Sequence, residues 1–299
     1  MSNPADTIPT AFADDIPTRL LVFGMAHRDG EVLGRELYDV IEPCGVTVDQ
    51  MRSQMRRLVN EGIFERTGEG RDAIFRPTRN GLATMGALMH RHRLAYAQDA
   101  AGRGWDRRWR LVAFAMPESR RTDRDALRDR LLQLGAAPIQ NGLYASPHRW
   151  DDEVRAEVDR LQVGDHVTLA VTEDLEIAGD RDPKHIAATL WPLDEISERY
   201  QRFVTSYEHV PDALDEMRRR GDRIHERDYL PGALHIAIRF NECFDRDPLL
   251  PPELLPRPWP GRAARELLTR CRRLGMLTRQ DRNGPALFDV FDENIARLP

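Results

Sequence analysis

The sequence predicts a multidomain α+β fold, and three observations lead to it. The chain has 299 residues, enough for two or three domains that each bury a core. Apolar residues recur at helical spacing near both ends, whereas the middle of the chain alternates strand-like and helical segments. Composition is typical of a globular protein, with 41% hydrophobic and 31% charged residues. We therefore expect a helix-rich N-terminal domain, a mixed middle domain and a helical C-terminal domain.

The start of the chain carries no structural pattern. It is acidic, contains proline and lacks periodicity, so we expect residues 1–15 to be disordered. It also lacks a signal-peptide pattern, and no segment reaches the roughly 18 apolar residues of a membrane helix. These features predict a cytoplasmic protein with no membrane partner. The net charge of −5 excludes a uniformly basic surface but permits a local basic patch.

Three short helical patterns follow, over residues 18–27, 33–42 and 47–62. In the third, Thr47 is a suitable N-cap and Gln50 can complete a capping box. Gly62 suits the C-terminal end, where a left-handed residue closes a helix. Three short helices joined by tight turns are the arrangement of a helix-turn-helix.

The third helical pattern has two distinct faces. The apolar stripe, expected to pack on the rest of the domain, consists of Val48, Met51, Met55, Leu58 and Val59. The polar face consists of Gln50, Ser53, Arg57 and Asn60, with Arg52 and Arg56 beside them. Side chains of these types read base edges and contact phosphates in a major groove. Charged helix faces are also common on other proteins, so the helix alone leaves a solvated surface as the alternative.

A hairpin pattern comes next. Residues 63–66 and 73–76 are strand-like and flank the glycine-containing turn 68–72. A hairpin after three short helices predicts a winged helix-turn-helix over residues 16–100, including a linker helix from Arg79, with Arg76 as a further wing contact. The predicted DNA-binding residues are Thr47, Gln50, Arg52, Ser53, Arg56, Arg57, Arg66 and Arg71.

Residues 101–188 predict a ferredoxin-like domain. Strand patterns over 110–116, 138–146 and 166–172 alternate with helical patterns over 123–134 and 151–161, and Asn141-Gly142 divides the second strand segment into a hairpin. This βαββαβ order is the ferredoxin-like split unit. Residues 189–299 return to helical stripes and predict a C-terminal helical domain, in which a proline-rich connector separates the last two helices.

We expect no cofactor, no metal site and no enzyme activity. Cys44, Cys243 and Cys271 lie far apart and lack the paired spacing of a zinc site. His90 and His92 are two residues apart, which places them on different sides of a helix. The sequence has no catalytic motif such as GxSxG, HExxH or GxxxxGK[ST] in a structural setting that would suit it.

Two stretches carry a family resemblance. The first is Trp105-Asp106 with Trp109, and the second is DPLLPPELLPRPWPGRAARELL, over residues 247–268. Both resemble the PaaX-type transcriptional repressors of phenylacetic acid degradation, as does the order of winged helix, ferredoxin-like (Cas2-like) domain and helical domain. Further matches are Gly45, Arg52, Arg57-Leu58, Gly70-Arg71 and Leu190-Trp191.

The resemblance implies a homodimer that represses transcription of a phenylacetate-type catabolic operon. It would bind a roughly palindromic double-stranded operator and be released by an aryl-acetyl-CoA effector such as phenylacetyl-CoA. Arg239, Trp259 and Arg262 are candidates for an effector pocket, with packing or surface roles as the alternative. Asn241-Glu242 stand where basic residues are expected, so a different ligand is also an alternative.

Two other functions compete with this one. Cas2-like domains in nucleases are expected to use an acidic residue near the end of the first strand, and Glu118 follows Met116-Pro117 here. A lone carboxylate without metal partners gives a metal-dependent nuclease little support. A structural or RNA-binding role for the ferredoxin-like domain is the other alternative, but the predicted strands lack the stacking aromatic residues of an RRM.

Overall fold

The structure is a computed structural model that describes residues 18–280 and 287–288. The helices are α1 (Thr18–Gly24), α2 (Gly34–Ile41), α3 (Val48–Asn60), α4 (Arg79–Ala101), α5 (Arg121–Gln133), α6 (Asp151–Leu161), α7 (Pro183–Leu190), α8 (Leu193–Tyr207), α9 (Val210–Arg220), α10 (Glu226–Phe244) and α11 (Pro260–Thr278). The strands are β1 (Val32–Leu33), β2 (Phe64–Thr67), β3 (Ile74–Pro77), β4 (Trp109–Phe114), β5 (Ala137–Gln140), β6 (Leu143–Ser146) and β7 (Val167–Thr172). The disorder predicted for residues 1–15 lies outside the described residues. Among the described helices, none has both the length and the apolarity that crossing a membrane requires.

The chain divides by its contacts into two compact units. Among the described residues, the first draws on the segments 18–96, 200–244, 260–280 and 287–288, and the second on 97–199 and 245–259. Each unit therefore combines segments that are distant in sequence. The domain bounds that the sequence predicts follow chain order instead, and they stay a prediction.

In the first unit, β1 lies between α1 and α2, and β2 and β3 follow α3. The three strands form an antiparallel sheet of order β1-β3-β2. The predicted hairpin is confirmed, with Glu65 opposite Arg76 and Thr67 opposite Ile74. Strand β1, in which Val32 pairs with Phe75, was not predicted. Two residues are too few to show the alternation by which a strand is recognised.

The first two helices are shorter than predicted. Helix α1 ends at Gly24 rather than at His27, because residues 27–31 form a turn in which the His27 N–H donates to the Glu31 carbonyl at 2.9 Å. Helix α2 begins at Gly34, since Leu33 belongs to β1. A Cβ atom at Gly34 would lie only 2.7 Å from the Ala73 carbonyl, so glycine permits the close approach of helix and sheet.

One hydrophobic core joins the N-terminal helices to α10. Leu21, Leu37 and Leu58 lie in the same buried cluster as Leu230 and Leu234 of α10. Burying such side chains stabilises the folded state by roughly 1.5–3 kcal/mol each. The three N-terminal helices and α10 are therefore parts of a single packed body, which the sequence did not predict.

The second unit contains the predicted βαββαβ arrangement. Its sheet has the order β5-β6-β4-β7 with every neighbouring pair antiparallel, and α5 and α6 pack through Leu127, Leu131 and Val154. The turn at Gly142 needs glycine for two reasons. Its φ is +75°, and a Cβ atom there would lie 2.4 Å from the Phe114 carbonyl oxygen.

The proline-rich segment after α10 is part of the second unit's core rather than only a spacer. Leu250 and Leu254 are buried with Trp109 and Trp191. Helix α7, which lies earlier in the chain, was not predicted from the sequence. Its signal is the Asp182 side chain, which accepts from the backbone N–H groups of residues 184 and 185, followed by proline at the first helical position.

Candidate nucleic-acid interface

The capping box predicted for α3 is present. The Gln50 N–H donates to Thr47 Oγ1 at 3.2 Å, and the Thr47 N–H donates to Gln50 Oε1 at 2.8 Å. The Thr47 hydroxyl also lies 3.0 Å from Gln50 Oε1. Because the cap uses the carbonyl oxygen of Gln50, only its amide NH₂ group remains for recognition, as a donor.

The apolar face of α3 is buried as predicted at Met51, Met55 and Leu58, which are 0%, 3% and 0% exposed, and Val59 is half-buried. Val48 was predicted to belong to this stripe, and that is wrong, because 45% of its surface is exposed. It is the first residue of the helix, where α3 extends past the core.

The opposite face of α3 is exposed to solvent along its whole length. The exposed side chains are Thr47, Gln50, Arg52, Ser53, Arg56, Arg57 and Asn60. The buried stripe fixes the helix, so these side chains have a defined spacing. The structure thus brings together all six polar residues that the sequence placed on or beside this face.

Arg57 shares a carboxylate with a second arginine. Its Nε donates to Glu61 Oε1 at 2.9 Å, while Arg19 of α1 donates to Glu61 Oε2 at 2.7 Å. The hydrogen bond from Arg19, followed by that from Arg57, holds the pKa of Glu61 below its usual range. Glu61 therefore stays charged and links the C-terminal end of α3 to α1.

The arginines of the hairpin are also held in place. Arg66 Nε donates to the Gly68 carbonyl at 3.1 Å, and Arg71 pairs with Asp39 of α2. Arg76 pairs with Glu31 at 2.7 Å. The side chains of Arg71 and Arg76 are at least half exposed despite these ion pairs, so solvent and ligands can reach them.

Two of the three effector candidates pair with an acid on their own helix, and the third packs beside a core. Arg239 pairs with Glu242 at 3.1 Å, and Arg262 pairs with Glu266 at 2.9 Å. Trp259 is half-buried beside the core of the second unit. An apolar cavity lies elsewhere in the first unit, among α9, α10 and α11, and its lining includes none of the three.

Glu118, the candidate nuclease residue, has arginines rather than other acids as its neighbours. Glu118 is exposed and lies 3.3 Å from Arg124 and 3.7 Å from Arg121. The part of the chain that the structure describes contains no group of three or more His, Cys, Asp or Glu placed to hold a metal ion. His92 stacks on Phe244, and burial lowers the pKa of His92 to about 3.

The fold and the exposed polar helix define a mixed helix-and-sheet protein built around a βαββαβ domain. Residues 102–186 match the description "PaaX protein central Cas2-like domain", and residues 191–278 match "PaaX-like protein C-terminal domain". The chain belongs to the PaaX-type family of transcriptional repressors.

Two individual proteins illustrate the similarity. The "Transcriptional repressor PaaX" of Escherichia coli (strain K12) is 26% identical over 251 residues, which cover 81% of this chain and 74% of that protein. A solved structure of an uncharacterised protein from Mycobacterium tuberculosis shares 21% sequence identity at a TM-score of 0.48, covering 81% of this chain and 88% of that one.

Proposed function

We propose that the chain is a sequence-specific DNA-binding repressor in which α3 reads the operator. Helices α1 to α3 and the hairpin β2–β3 form a winged helix-turn-helix over residues 16–100, followed by domains over 101–188 and 189–299. The observation that carries the proposal is the two-faced geometry of α3, a capped helix with a buried apolar side and an exposed polar side. A helix of this kind fits a major groove.

The exposed side chains divide into two roles. Gln50, Ser53 and Arg57 face the bases, where a guanidinium can donate two hydrogen bonds to guanine and the Gln50 amide can donate one to an acceptor. The other predicted arginines contact phosphates, and Thr47, at the N-terminus of α3, lies close to the sugar-phosphate backbone of the DNA. The phosphate-contacting residues are Arg52, Arg56, Arg66 and Arg71.

Regulation follows from the family. A homodimer places two copies of α3 on a roughly palindromic operator of a phenylacetate-type catabolic operon, with half-sites one helical turn or a multiple apart. An aryl-acetyl-CoA such as phenylacetyl-CoA releases the protein by binding the DNA-incompetent state more tightly. A family member that answers to a different ligand is the runner-up, because Glu242 places an acid beside Arg239.

The direct test is fluorescence anisotropy of the full chain on the DNA upstream of its own gene and on a scrambled duplex. We expect tighter binding to the upstream DNA, affinity that falls steeply with salt because counterions are released, and dissociation on adding phenylacetyl-CoA. Equal affinity for both duplexes would contradict the repressor. Operator binding that ignores the thioester would contradict only the effector assignment.

Two arginine variants separate the roles on α3. Arg57→Ala should cost ~1–3 kcal/mol of operator binding and relax the preference at one base position. Arg56→Ala should weaken binding to all duplexes alike and reduce the salt dependence. Arg128→Ala, which changes an exposed arginine of the central domain, is the matched control and should leave affinity unchanged.

A further inference from the structure

An apolar cavity of ≈ 300 Å³ lies within the first unit, among α9, α10 and α11. Apolar side chains from α9 and α10 form most of its wall, including Val210, Leu214, Met217, Ala233, Ile236 and Tyr229, and α11 contributes Cys271 and Gly275. Its polar lining is mostly basic, with Arg223 and Arg272 as the charged cations and Asp228 as the acid among the lining residues. This lining favours an apolar ligand that carries a negative group.

The size of the cavity restricts the ligand further. Ligand pockets in proteins span roughly 300–1,000 Å³, so this cavity is at the small end of that range. It suits one aromatic ring with a short acyl chain. The nucleotide part of a CoA thioester would have to remain outside the cavity. Among the lining residues, the partly buried Arg272 and the exposed Arg223 offer it positive charge.

We propose that this cavity is the effector site and that it binds the aryl-acyl end of an anionic aromatic acid or its CoA thioester. The inference rests on the proposed function, because it places the ligand that releases the repressor. Arg223 and Arg272 attract the anionic group, and the aromatic ring lies against the apolar wall near Tyr229.

One connection from the cavity to the N-terminal helices runs through α10. Tyr229 lines the cavity and also belongs to the hydrophobic core shared with α1, α2 and α3. A Cβ atom at Gly275 of α11 would lie 3.0 Å from the Tyr229 ring, so the two helices touch at this point. A ligand that displaces Tyr229 therefore alters packing against the N-terminal helices directly.

A second connection runs through Phe288. A guanidinium nitrogen of Arg272, Nη2, donates to the Phe288 carbonyl at 2.7 Å, and the guanidinium lies 5.0 Å from the centre of the Phe288 ring. The Phe288 N–H in turn donates to the carbonyl of Gly24, the last residue of α1, at 2.6 Å. An anion that draws Arg272 towards the cavity competes with the first of these contacts.

The test combines calorimetry with operator binding on the full chain. The probes are phenylacetyl-CoA and, separately, phenylacetate. Ala213→Phe places a ring in the cavity from α9, while Ala87→Phe adds the same ring at an exposed site on α4. We expect Ala213→Phe to bind probe at least about tenfold more weakly than wild type, with operator affinity preserved, and Ala87→Phe to match wild type in both.

The outcomes distinguish this inference from the proposed function. Binding of both probes would show that the protein recognises the shared aryl-acetyl group, and binding of the thioester alone would show that recognition also needs the CoA phosphates. Either result supports the site if Ala213→Phe weakens binding of the probe. Wild-type probe affinity in Ala213→Phe, or no binding of either probe to wild type, would overturn the site even if the operator is bound. Failure to bind the operator would instead overturn the repressor.

The coupling has its own variant. Phe288→Leu keeps an apolar side chain in the core but removes the ring beneath the Arg272 guanidinium. Since Phe288 does not line the cavity, probe affinity should stay within about twofold of wild type while release from the operator requires more probe. Release at the wild-type probe concentration would rule out the Phe288 connection.

Discussion

Asp106 and Arg110 form a buried ion pair in the second unit. The Arg110 guanidinium donates to Asp106 Oδ1 at 2.7 Å and to Oδ2 at 2.5 Å, and the Asp106 and Arg110 side chains are 15% and 8% exposed. The Arg108 N–H donates to the same carboxylate at 3.1 Å. The hydrogen bond from Arg110 is the main cause that lowers the pKa of Asp106 from 3.8 to about 2, against the opposing effect of burial.

This pKa gives both the size and the pH dependence of the pair's contribution. Because the folded-state pKa is lowered, the stabilisation is complete above pH 3.8 and is lost as the pH falls from 3.8 towards 2. One pKa unit corresponds to ~1.4 kcal/mol, so the carboxylate stabilises the folded unit by ~2 kcal/mol at neutral pH. Asp106→Asn should lose about 2–3 kcal/mol at pH 7, because it leaves the Arg110 guanidinium buried without its main partner.

Tryptophan fluorescence during urea unfolding measures this loss selectively. All five tryptophans lie in the segments of the second unit, at positions 105, 109, 150, 191 and 259. Asp129→Asn is the control, since Asp129 pairs with Arg128 on an exposed surface and its loss should leave the midpoint unchanged. An Asp106→Asn midpoint equal to wild type at pH 7 would refute the reasoning, as would a deficit that persists undiminished near pH 2.

Three further predictions concern the first unit. Met51→Ala should destabilise it by ~2–5 kcal/mol, because Met51 is fully buried; far-UV circular dichroism melting checks this, with the exposed Val48→Ala as control. Glu61→Gln should raise operator affinity about two- to fivefold in an anisotropy titration, because Arg57 would no longer have to break an ion pair with Glu61 before it contacts DNA. Weaker binding by this variant would contradict the proposed interface. Burial lowers the pKa of His92 to about 3, so His92 should remain neutral at pH 5 in an NMR titration. In the unfolded chain His92 takes up a proton below pH 6.5, so the stability of the folded protein should fall as the pH drops from 6.5.

Local patterns sufficed to predict much of the fold. Helix α3 was predicted from its capping residues and its three- and four-residue apolar spacing. The hairpin at Asn141-Gly142 was predicted because its tight turn requires a positive φ, which Gly142 adopts. The exposed side of α3 follows from the same spacing, because the residues that are not buried must face solvent. The exposure of the polar side chains of α3 was therefore predictable from the sequence, whereas the exposure of Val48 was not.

Contacts between distant segments were not predictable in this way. Leu234 packs in the same core as Leu21, yet more than two hundred residues separate them and neither carries a local mark of that contact. The cavity among α9, α10 and α11 likewise depends on how three helices pack, whereas the sequence offered only Arg239, Trp259 and Arg262 by resemblance. The partners of Arg57 and Arg71 depend on the placement of Glu61 and Asp39, which only the folded chain defines.

The most direct test of the central claim is DNA cleavage from the exposed face of α3. Cys44, Cys243 and Cys271 are buried, and burial raises the pKa of Cys44 and Cys271 to about 12, so a thiol reagent should leave the native protein unmodified. Ser53→Cys adds one accessible thiol on that face, to which an iron chelate that generates hydroxyl radicals can be attached. We predict strand cleavage confined to the upstream operator, in half-sites about one helical turn or a multiple apart. Operator binding without localised cleavage from position 53 would contradict the account.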